Sequence, residues 1–143
     1  MKLRTSLAAA GAAAVLATTG ALALPAVASA HSASTTLTFI SVNKARLPFT
    51  KTQFGSQDTD TNTAGKIIGF DELYLTAPSG AANVTLDTSG GMLYGTGTVN
   101  LKNGAFSNGK VTGGTGKFAG ATGTIKAKTL SKTKTAVTIT YTG

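Results

Sequence analysis

The chain has 143 residues, 18 of them glycine, 3 proline and none cysteine. That is one domain's worth of sequence, and any exported fold it makes is held by packing and hydrogen bonds rather than disulfides. Thirteen Lys and Arg against five Asp and Glu give a formal charge of +8, but Arg46 is the only arginine past residue 30 and aromatic residues make up 6%, too few stacking and bidentate groups for a nucleic-acid platform.

Residues 1–30 read as a signal peptide. Lys2 and Arg4 give a positive start, Leu7 to Leu24 an apolar, alanine-rich stretch, and Ala28-Ser29-Ala30 a small-residue cleavage site. The mature chain is expected to begin at His31, to be secreted and to keep no stable membrane anchor. It carries eleven basic and five acidic side chains. His31 lacks the second histidine that a copper brace at an N-terminus requires.

Beyond Ser34 the periodicity is that of β structure. Thr36 to Val42 alternates, with Leu37 and Phe39 on one face. Asn43 to Ala64 is polar and reads as a long connection that could act as a lid or mouth loop. Gly65 to Thr76 is the most apolar strand, followed at short intervals by Ala82 to Asp87, Met92 to Leu101, Ala105 to Val111, Ala121 to Thr129 and Thr135 to Thr142. Turn residues separate them: Pro78-Ser79-Gly80, Ser89-Gly90-Gly91 and Asn103-Gly104, the last suited to a type I′ hairpin turn. Seven or eight short antiparallel strands with no amphipathic helix predict an all-β sandwich or closed barrel. Glycine pairs 65/69, 95/97 and 109/113 fall at even spacings, so each pair faces one side of the sheet, favours curling and leaves space on the concave side.

The densest glycine run is Gly109 to Ile125, which reads as strand, sharp bend, strand, with Gly114 and Gly116 expected at positive φ. Gly114-Thr115-Gly116-Lys117-Phe118-Ala119 matches G-x-G-x-x-A, but no helix begins there to meet a pyrophosphate. Phe118 also stands where a phosphate-binding loop needs Ser or Thr. No nucleotide or other cofactor is expected.

The segment Val111-Thr112-Gly113-Gly114-Thr115-Gly116-Lys117-Phe118, with Ala119 to Gly123 after it, resembles the signature of the allene oxide cyclase and dirigent barrel superfamily. Gly65-Lys66-Ile67-Ile68-Gly69 is similar to that family's second-strand glycine step, and Leu47-Pro48-Phe49-Thr50 to a loop of its cyclase branch. The resemblance implies a single antiparallel eight-stranded β-barrel of calycin type over residues 31–143, with a side-chain-lined cavity and a trimeric assembly. It also implies a pocket position for Asp71, where the cyclase branch has a cysteine. Asn43 and Pro48 match the Asn and Pro of the cyclase branch's water-holding set, whereas Ser41 replaces its Glu and Thr122 a frequent Arg.

Acid–base chemistry has few candidates: Asp58, Asp60, Asp71, Glu72, Asp87 and His31. Asp71 and Glu72 point to opposite faces of a strand, and Asp71 shares its face with Gly69, Ile67 and Leu73. In an apolar interior Asp71 would be held toward its neutral form, as a proton donor or acceptor. Ile67, Leu73, Val99 and Leu101 are expected to line the cavity, with Asn43 and Pro48 at the ligand site. Asp58-Thr59-Asp60-Thr61-Asn62 has the first half of a calcium loop without its Gly and Glu, so no metal site is expected. Lys126, Lys128, Lys132 and Lys134 form a solvated basic band. The sequence thus predicts a secreted barrel binding a small apolar molecule. An isomerase of the cyclase type and a cell-surface structural barrel are the alternatives.

Overall fold

The computed structural model describes residues 33–143, so the expected signal peptide and His31 lie outside the described residues. Eight strands follow one another: β1 (Thr35–Pro48), β2 (Gln53–Thr61), β3 (Ile67–Thr76), β4 (Ala81–Thr88), β5 (Gly91–Val99), β6 (Phe106–Gly114), β7 (Thr122–Thr129) and β8 (Lys134–Thr142). Each pairs antiparallel with the next, and β8 returns to β1 from Thr35↔Tyr141 to Val42↔Lys134, closing the barrel. Closure leaves no free edge through the body of the sheet.

Alternation sets the core. Phe39, Leu86, Leu93, Val111, Ile125, Val137 and Ile139 point inward from six strands and meet Phe118 and Ala121 from the β6–β7 connection. That connection is a single 3-10 turn, Gly116–Phe118, and it drives the Phe118 ring into one barrel end, edge-on to Tyr141 at 5.4 Å between centroids. Positive φ falls at Gly113 and Gly116, not at Gly114. Gly114 is required for space instead, because a Cβ there would meet the Met92 carbonyl and Phe118.

Three further expectations change. The polar stretch 43–64 is no long loop: β1 runs on to Pro48 and β2 occupies most of the remainder. β1 bulges at Lys44, between the pairs Asn43↔Asp58 and Ala45↔Gln57, and past Val42 it pairs with β2 alone. The β5–β6 turn is not a two-residue type I′ loop. Asn100 and Ala105 bracket it, Gly104 alone takes positive φ, and the Asn100 and Asn103 side chains accept from the Lys102 and Ala105 amides. Finally, the missing side chains at Gly95, Gly97 and Gly109 do not simply leave a void: Ile125 and the Phe106 ring press against them.

Candidate functional site

Inward side chains leave a cavity of about 140 Å³ toward the end of the barrel that carries the β3–β4, β5–β6 and β7–β8 turns. An eight-stranded barrel is just wide enough for its own side chains or one small guest. Its wall is mainly apolar, with Phe39, Leu73, Val84, Val99, Phe106 and Val137 among its members. Deeper in, Leu93, Phe118 and Ala121 are buried together in the core.

One wall is polar, and β1, β2 and β3 build it. Ser41 follows Phe39 on the inner face of β1. Asp58 and Asp71 are directly opposed across β2 and β3, and Asp60 lies one inward step further along β2. Three of the five acidic residues of the chain therefore gather here. Ser41 Oγ donates to one Asp58 oxygen at 2.8 Å, and Asn43 Nδ2 donates to the other at 2.8 Å. Asp71, 7% exposed, lines the cavity beside them. Asp60 has no exposed surface at all, and neither of its oxygens receives an N–H or hydroxyl donor.

A wholly buried carboxyl without donors cannot stay ionised. Burial first, then the neighbouring Asp71 and Asp58 charges, push Asp60 from 3.8 up to about 9. Protonated at neutral pH, Asp60 becomes a donor to Asp71, which resolves its lack of partners. Asp71 is also raised, by burial and then by Asp58, while hydrogen bonds from Asp60 and Ser41 act in the opposite sense. The Ser41 proton is already given to Asp58, so the Asp60 carboxyl is the donor that remains for Asp71.

The residues singled out from sequence divide into three groups. Leu73, Val99 and Asp71 lie on the cavity wall. Asn43 stands at the exposed rim and reaches the cavity only through Asp58, while Pro48 ends β1 opposite Phe54. Ile67 and Leu101 are corrections, at 56% and 48% exposure. A bulge pairs Asp60 with Gly69 and Thr61 with Ile67, which turns Ile68 rather than Ile67 toward the core. Leu101 falls beyond the end of β5, in the turn.

Sequence reasoning missed Ser41, Asp58 and Asp60 as members of one site. The signal was there in the period-two spacing of Phe39 with Ser41 and of Asp58 with Asp60. Asn62, the third oxygen of the half calcium loop, instead receives the Ala64 and Lys66 amides and shapes the β2–β3 turn. Among the described residues no group of three or more His, Cys, Asp or Glu side chains converges to hold a metal ion.

No protein-family model matches the chain, and no curated protein does. Among solved structures it is similar to pyocyanin demethylase, with a TM-score of 0.57 and 17% identity over 76% of this chain and all of that one. That likeness is one of fold: the chain is an eight-stranded antiparallel barrel of a kind already seen in another protein.

Proposed function

We propose that this protein is a secreted barrel that binds a small, mainly apolar molecule of about the size of one ring in its central cavity. The observation that carries this reading is the cavity itself: about 140 Å³, walled by aliphatic and aromatic side chains, with a few polar groups gathered on one side. A cavity of about 150 Å³ with such a lining accommodates benzene, and apolar space with few convergent polar groups is the usual form of a small-molecule site. Residues 1–30 serve as the export signal in this reading, and the resemblance to the allene oxide cyclase and dirigent superfamily supports a role built on an enclosed pocket. Toluene titrated into the mature protein, followed by calorimetry and by shifts of the Val84, Val99 and Val137 methyl resonances, tests it. Saturable shifts confined to the cavity are expected. Their absence leaves the structural-barrel alternative.

The Asp60–Asp71 pair favours a second reading, an isomerase that moves a proton on the bound molecule. Asp71 would act as the base at the cavity wall, and protonated Asp60 would hold it in place. If this holds, Asp71→Asn abolishes turnover of any substrate found, even at saturating substrate. In a pure binder the same change leaves the bound molecule's fate unaltered.

A further inference from the structure

We propose that the natural guest carries a protonated amine, seated against Asp58 and Asp71 with its apolar body in the cavity; this rests on the cavity being a binding site. The charge distribution supports it. Three of five acidic side chains sit at one wall, while none of the eleven Lys and Arg beyond residue 30 lines the cavity. Lys44, in the β1 bulge, does not line the cavity, though it borders a second groove together with Asp58, Asp71 and Glu72. The strands β4 to β8 bring no titratable group to the lining.

The hydrogen-bond inventory of the wall is one-sided. Asp58 already has a donor on each oxygen, from Ser41 and Asn43. Asp71 is nine-tenths buried and lines the cavity, and with the Ser41 hydroxyl proton directed at Asp58 the Asp60 carboxyl is its main internal donor. A carboxylate has about four acceptor sites, so Asp71 retains several toward the cavity. What is missing there is a donor with positive charge. An ammonium supplies three donors from a compact head, whereas an anionic guest would meet two carboxylates. A metal ion is a poorer fit, since the carboxyl groups do not converge on a common point.

Four ligands sharing one ring test this on the intact mature protein at pH 7: toluene, benzyl alcohol, benzylamine and benzoate. Benzylamine is expected to bind about tenfold or more tightly than toluene, as a charged hydrogen bond in a shielded site gives, and benzoate more weakly than toluene. The excess of basic residues over the whole chain acts against that order, so the order reports the local field of the cavity. Asp71→Asn should erase the preference of benzylamine over toluene. If that variant does not fold, the native pH profile decides: benzylamine affinity should fall as its own ammonium deprotonates, by more than any change for toluene.

Benzylamine binding no more tightly than toluene or benzyl alcohol, or a preference that survives loss of the ammonium charge, overturns the proposal and leaves the apolar-binding reading standing. Failure of all four to bind removes both.

Discussion

Asp58 and Asp71 face each other across neighbouring strands, with Asp60 enclosed immediately beside them and cut off from solvent. This arrangement gives the fold a particular dependence on pH. Asp60 is raised to about 9 in the folded chain against an ordinary 3.8, so between those values the folded state keeps a proton that the unfolded state has released. Its contribution is fully present below pH 3.8 and is lost as pH rises through about 9, with a limiting slope of about 1.4 kcal/mol per pH unit. Asp71 is shifted in the same direction and adds to the trend. Thermal melts from pH 5 to 9 should show the melting temperature falling as pH rises. Asp60→Asn, which keeps a donor for Asp71, should flatten the curve and raise stability at pH 8. A wild-type melting temperature that climbs over this range would contradict the assignment.

The β6–β7 bend should not tolerate side chains. Gly116 has φ 58°, and a Cβ there would strike the Gly90 carbonyl, while at Gly114 it would strike the Met92 carbonyl and Phe118. Gly116→Ala and Gly114→Ala are each expected to cost about 1–3 kcal/mol in urea denaturation. Gly90→Ala is the control. Its new methyl meets only the flexible Lys117 side chain, so its cost should stay below about 0.5 kcal/mol.

Phe118 is 1% exposed and closes one end of the core. Its truncation to alanine removes the plug and the edge contact with Tyr141, and should cost about 3–5 kcal/mol. Chemical denaturation measures this directly. A cost under about 1 kcal/mol would mean that the bend is not what seals the barrel.

Filling the cavity should separate binding from folding. Val99 lies on its wall, and Val99→Phe is expected to weaken toluene binding by about tenfold or more, which is ~1.4 kcal/mol. The circular dichroism spectrum should be retained. Undiminished toluene binding in this variant would place the guest elsewhere.

The strands with apolar inner faces were legible in the sequence because alternation carries burial directly, as in Leu37-x-Phe39, Val84-x-Leu86 and Val137-x-Ile139. β2 was hidden for a physical reason: its inward positions include Asp58 and Asp60, so the hydropathy contrast between its faces vanishes. The half calcium loop that those residues imitate is a strand whose buried face is acidic. Ile67 was assigned the wrong face because counting by twos from Asp71 passes across a bulge at Ile68 that no local residue type announces. Leu101 continued the apolar rhythm of Val99, but Asn100 begins the turn between them. Asp71 was singled out from strand parity and resemblance. Its two acidic partners needed the cross-strand register to be recognised.

Phe118 and Tyr141 pack edge to face at the bend end of the barrel, while the cavity lies toward the opposite end, so a guest should enter and leave by that opposite end. Any occupant must leave by the route it entered, and a newcomer has no rear door through which to push it. Exchange should then be strictly sequential: the release rate of a bound molecule should stay constant however much competitor is added. A chase experiment with rising competitor would read that independence as a flat line.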